Sequence, residues 1–62
     1  MPYEIGDMVR VWQQYEADWP EAQGRVGVIV GHAMRLHIPA AKVMVLGEVA
    51  EFDLTELEKV CK

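Results

Sequence analysis

The sequence predicts an all-β domain, a small five-stranded barrel with one short helical turn before the last strand. Three observations point there. Apolar residues recur with period two in short runs, as in Met8-Val9-Arg10-Val11-Trp12, and not at helical spacing. The most apolar run, Gly24-Arg25-Val26-Gly27-Val28-Ile29-Val30-Gly31, is β-branched and has a glycine inside it. Turn-forming glycines and prolines punctuate the runs. With 62 residues the chain is expected to be one domain, 1–62, with a small core.

Taken in order, Tyr3 to Asp7 is an approach segment, with Gly6-Asp7 as a turn pair. Met8 to Trp12 is the first strand, with Val9 and Val11 on one face and Met8, Arg10 and Trp12 on the other. Gln13 to Gln23 is a polar surface loop that carries Tyr15 and Trp19, and Trp19 either folds back as a lid over one end of the barrel or stands out as an anchor for a partner. Pro20 keeps its neighbour out of helix. In the second strand Val26, Val28 and Val30 face one way, and Gly27, Ile29 and Gly31 the other. Apolar residues on both faces make it a central strand, and Gly27 marks a bend, a bulge or a close backbone approach.

His32 to Ala41 is unexpectedly apolar for a connection. Met34, Leu36 and Ile38 alternate with Arg35 and His37. The segment is either an extension of the second strand or an apolar docking loop, and Pro39 is expected to end strand pairing there. Lys42 to Leu46 is the third strand and Glu48 to Phe52 the fourth, joined by a two-residue turn at Gly47-Glu48. Phe52 is the expected large core residue. Asp53 to Glu58 reads as one helical turn, with Asp53 and Glu56 spaced as a capping box and Leu54 and Leu57 on one face. Lys59 to Lys62 is a short last strand that pairs with the first.

Charge and composition exclude several classes of function. Ten acidic residues against six basic give a net charge of −4. Affinity for nucleic acid comes largely from cations that neutralise phosphates, so nucleic acid is a poor partner for this chain. The apolar runs are too short to span a bilayer and no signal-peptide pattern opens the chain, so neither membrane insertion nor secretion is expected. The single cysteine, Cys61, forms no internal disulfide, and it does not combine with His32 and His37 into a zinc pattern. No serine is present, which removes a serine triad. The glycines have the wrong spacing for a phosphate loop. Glu16 with Asp18, and Glu48 with Glu51, read as solvated charges. The expectation is a protein without catalysis, cofactor or metal.

Five short strands, a long first loop and a single turn before the last strand describe an SH3-like barrel. The opening Ile5-Gly6-Asp7-Met8-Val9-Arg10-Val11 resembles the first strand of such barrels. Gly24 to Val30 resembles the glycine-containing strand of the KOW type found in ribosomal proteins and transcription-elongation factors. Lys42-Val43-Met44-Val45-Leu46, followed by Glu51-Phe52 and Leu54-Thr55-Glu56-Leu57-Glu58, is similar to small SH3-like proteins of tailed bacteriophages, cyanophages among them. The phage resemblance implies a structural virion component, a head-decorating, head-stabilising or tail-associated protein, that docks onto capsid or tail proteins or onto itself. The KOW resemblance implies a nucleic-acid- or ribosome-associated module, and the scarcity of basic residues disfavours it. A further resemblance is to the SH3-like accessory subunits of photosynthetic and redox complexes. All these readings put function on the loops. The expected partner-binding residues are Tyr15 and Trp19 in the first loop, and Met34, Arg35, Leu36 and Ile38 in the second, because exposed aromatic and aliphatic groups lose water on docking.

Overall fold

The structure is a computed structural model that describes residues 3–13 and 19–60. Tyr15 and Cys61 lie outside the described residues. The strands are β1 (Met8–Val11), β2 (Val26–Arg35), β3 (Ile38–Val45), β4 (Glu48–Asp53) and β5 (Leu57–Lys59). All neighbours are antiparallel in one sheet of order β4-β3-β2-β1-β5. A 3-10 turn, Pro20–Ala22, precedes β2, and a second, Leu54–Glu56, precedes β5. The all-β, five-stranded class with a turn before the last strand is therefore present, and β2 is the central strand.

The inward residues of each strand explain the shape. Val9 and Val11 of β1, Gly27 and Ile29 of β2, Ala41, Val43 and Val45 of β3, Phe52 of β4 and Leu57 of β5 are buried. β4 and β5 are opposite edges of the sheet, yet Phe52 and Leu57 belong to the same core cluster. The sheet therefore curls on itself, with Ala22 of the first 3-10 turn also in the core and Tyr3, Trp19 and Leu54 packed against it. No buried side chain among the described residues is polar or charged. The Tyr3 hydroxyl donates to the Leu57 carbonyl at 2.8 Å, which ties the approach segment to β5.

Gly27 is the tightest point of the curl. A Cβ built there would lie 2.6 Å from the Met44 carbonyl oxygen and 2.7 Å from Val43 Cγ1, so only a hydrogen fits. Of the alternatives read from the sequence, close backbone approach holds at Gly27, while the bulge lies further along, between Ile29 and Gly31.

Several boundaries differ from expectation. β3 begins at Ile38, not Lys42, and contains Pro39. Pro39 lies opposite Met34, one step from the Arg35↔Ile38 pair that closes a two-residue hairpin. The closing pair exchanges the ladder bonds, so the next pair needs no N–H and proline is tolerated there. The β3–β4 turn is Leu46-Gly47, not Gly47-Glu48. Val45 pairs with Glu48, and the turn residues have φ of 53° and 77°. The approach turn is centred on Ile5-Gly6 and not on Gly6-Asp7; Gly6 has φ 100° and the Asp7 N–H donates to the Glu4 carbonyl. The last strand starts at Leu57, ahead of the expected Lys59. The capping box spans only Asp53 to Glu56, and the chain is extended from Leu57 onward, where Leu57 pairs with Val11. In that box the Asp53 N–H donates to Glu56 Oε1 at 3.1 Å.

Two predictions follow from this packing. Gly27→Ala places a methyl against backbone, which cannot yield as a side-chain tip can. The expected loss is about 1–3 kcal/mol, read from denaturant unfolding, whereas Gly31→Ala, whose added Cβ meets only the Lys42 stem at 3.4 Å, costs less. The second concerns Asp7. Its Oδ2 accepts from the Glu4 N–H at 2.9 Å and lies 3.3 Å from Lys59 Nζ. The backbone bond, aided by Lys59, holds its carboxyl below the ordinary value of 3.8. Because the folded-state value is lowered, Asp7 stabilises the fold above its unfolded value. That contribution disappears as pH falls through the folded value. Thermal melts of the wild type and Asp7→Asn should therefore differ at neutral pH and converge in strong acid.

Candidate interaction surface

β2 and β3 run together beyond the body of the barrel. β1 pairs with β2 only as far as Met8↔Val28, while β2 and β3 stay paired to Arg35↔Ile38. The result is an arm, Gly31 to Lys42, that β4 flanks on the β3 side as far as Ala40↔Asp53 and that ends at Leu36-His37. The segment 32–41, open in the sequence between strand and docking loop, is thus strand on both sides of a tight turn, and its tip is exposed.

The tip has an unusual backbone. Leu36 and His37 have φ of 50° and 68°. A two-residue hairpin of this kind favours Asn-Gly or Asp-Gly, because both central residues must be left-handed. A leucine there costs conformational energy. The same Leu36 is 92% exposed, and Met34 and Ile38 beside it are 66% and 50% exposed. Three expected contact residues, Met34, Leu36 and Ile38, are therefore together in water at the end of the arm. The fourth, Arg35, lies 3.7 Å from Asp53 across the pair Ala40↔Asp53, in an ion pair open to solvent. Such a pair is worth little.

Trp19 lies elsewhere, at the base of the first loop. Gln13 and Gln23 clamp that base. The Gln13 N–H donates to Gln23 Oε1 at 2.7 Å, and Gln23 Nε2 donates to the Gln13 carbonyl at 3.1 Å. The Gln13 side chain then accepts from the Trp19 N–H at 3.0 Å and donates to the Trp19 carbonyl at 2.7 Å. Both main-chain groups of Trp19 are satisfied by one amide, so its position is fixed. Its ring is half-buried and packs on the core. The structure does not bring Trp19 and the tip together by any described contact.

A second apolar surface was not singled out from the sequence. On the outer face, Val49, Met44, Val28 and Met8 form one row across β4, β3, β2 and β1, register partner to register partner. All four are exposed, as are Val26 and Val30. The signal for this row was the doubled apolar character of β2 and β3. β2 is indeed central in the sheet, but among the described residues no second layer covers its outer face.

Charge is divided as sharply as hydropathy. Residues 31–42 contain no acid and carry Arg35 and Lys42, with His32 and His37. With histidine neutral the arm is +2 and the rest of the chain −6, which sum to −4. Among the described residues no group of three or more His, Cys, Asp or Glu could hold a metal ion, and no helix is long and apolar enough to cross a membrane. Fold and site together define a small single-sheet β-domain whose exposed chemistry is apolar contact and main-chain pairing. No protein-family model, no curated protein and no solved structure matches the chain.

The strained tip generates a prediction. The double substitution Leu36→Asn with His37→Gly supplies the residues the turn geometry prefers. The folded state should gain about 1–2 kcal/mol, measured as a higher denaturation midpoint with an unchanged slope.

Proposed function

We propose that this protein is a non-catalytic docking module that attaches to a larger protein assembly through the tip of its arm, with the first loop as a second contact. The observation that carries this reading is Leu36. A nearly fully exposed leucine occupies a left-handed turn position where asparagine or glycine is more stable. Backbone strain that stability does not require points to function. Here it holds an apolar side chain clear of the body, where docking removes it from water.

The assembly we favour is the particle of a tailed bacteriophage, with the protein as a head-decorating, head-stabilising or tail-associated component. The resemblance of residues 42–58 to small SH3-like phage proteins supports that choice. Surface complementarity suffices for such a role. The acid-free arm presents no like charge to an acidic partner, while the −6 remainder repels acidic surfaces elsewhere and so fixes orientation.

Mass spectrometry of density-purified particles tests this reading. The protein should be present in the wild-type particle. Leu36→Asp tolerates the turn and leaves the core untouched, yet it removes an apolar contact worth about 1.5–3 kcal/mol if fully buried. It should deplete the protein from particles about tenfold or more. Wild-type particles that lack the protein would overturn the virion assignment.

A further inference from the structure

Three strand edges of the molecule have no strand beside them among the described residues. Two are the outer edges of β4 and of the three-residue β5, at the two ends of the sheet. The third is the β2 side of the arm. The approach segment before β1 makes the next contacts to β2, the Gly6 N–H to the Ile29 carbonyl and the Ile29 N–H to the Asp7 carbonyl. From Gly31 to Arg35, β2 pairs only with β3.

The two hairpins determine which groups the arm and β4 edges present. Both have two-residue loops, so their closing pairs, Arg35↔Ile38 and Val45↔Glu48, exchange the ladder bonds. Bonded and non-bonded pairs then alternate. Met34↔Pro39 and His32↔Ala41 are non-bonded pairs in the arm, and Met44↔Val49 and Lys42↔Glu51 are non-bonded pairs at β4. The main-chain N–H and C=O of His32 and Met34 therefore point out from the arm, and those of Val49 and Glu51 point out from β4.

We infer that the arm of one copy adds as a strand to the β4 edge of a second copy, antiparallel, with Met34 opposite the second copy's Val49. This rests on the reading of the protein as a docking module and names one occupant of the arm. The register brings the outward main-chain groups of Met34 and His32 onto those of the second copy's Val49 and Glu51. It also places Arg35 opposite Glu48, His32 opposite Glu51 and Ala33 opposite Ala50. Apolar meets apolar on one pair, small meets small on another, and Arg35 and His32 meet acids on the remaining two, the first an opposite-charge pair. Arg35, Met34, Val49, Glu48 and Glu51 are all exposed. Strand addition of this kind draws affinity from the main chain and specificity from side chains. The contact is heterologous, since one copy gives its arm and the other its edge, so copies join head to tail into a ring or a filament.

Pairing of two arms with each other is the competing arrangement. It sets two +2 arms side by side and leaves the acids of β4 without a role.

Sedimentation velocity over a concentration series tests the inference with the full chain. The wild-type mass should rise with concentration beyond that of a dimer. Met34→Pro and Val49→Pro each delete one outward N–H and leave the internal ladders their bonds. Each variant alone should stay a single chain, and an equal mixture should stop at a one-to-one dimer, because only one live arm and one live edge remain. Arg35→Glu alone and Glu48→Arg alone should each lose assembly, and the double variant should regain it, which covers the case of a proline variant that fails to fold. A wild type that stays a single chain at millimolar concentration, or Val49→Pro that assembles like wild type, overturns the inference. A single-chain wild type that is nevertheless found in particles would remove this contact and leave the docking reading intact.

Discussion

The close approach of β2 to β3 at Gly27 is the constraint on which the rest of the structure depends. A single sheet has two faces, and this chain has too few residues to cover both. It buries one face by folding that face upon itself. The inward side chains of Val43 and Val45 occupy the space that a side chain at position 27 would need. With hydrogen there, the sheet curls far enough for Phe52 at one edge and Leu57 at the other to share a core. The core is wholly apolar among the described residues, so its stability comes from area removed from water and not from buried polar networks.

The same economy sets the character of the surface. The outer face of a curled sheet is convex and uncovered, and on this chain it is apolar at Met8, Val28, Met44 and Val49. The arm extends β2 and β3 past the end of β1, and beyond Ala40 no β4 flanks β3 either. Both features leave hydrogen-bonding edges and aliphatic side chains in water. Monomeric domains usually blunt such edges with charge, proline or short length. Here β4 has acidic side chains, whereas the arm edge has none of these devices on its outward positions, and the tip turn uses residues that its geometry disfavours. Stability is given up at the part of the molecule that reaches furthest from its own core.

Much of the fold was legible in the residues. Period-two alternation located β1 and the centre of β2 and β3. The glycine inside an aliphatic run marked the close approach of β2 to β3 as one of three alternatives, and the Asp53 to Glu56 spacing marked the capping turn. The misplacements share one cause, which is that turns are selected by pairing on both sides of them. Leu46-Gly47 replaces Gly47-Glu48 in the register that pairs Val45 with Glu48 and Met44 with Val49, and both turn residues are left-handed. Pro39 was read as a stop because a proline lacks a ladder donor. That rule depends on which pairs of the ladder are bonded, and sequence alone does not show it. Of the contact residues, Met34, Leu36 and Ile38 stood out as apolar groups in a segment expected to be polar, while the outer row was hidden because its members look like core.

The sequence by itself determined the class: short alternating strands, one domain's worth of aliphatic residues, a glycine inside the central strand, and an acid-free segment between residues 31 and 42. These are local properties, set by side-chain chemistry and by the backbone freedom of glycine. Tertiary structure alone decided which of two apolar faces is buried, that residues 31–42 form a paired arm, and that the outward main-chain groups fall at His32, Met34, Val49 and Glu51. Those outcomes depend on register, and register is a relation between strands that no single strand contains.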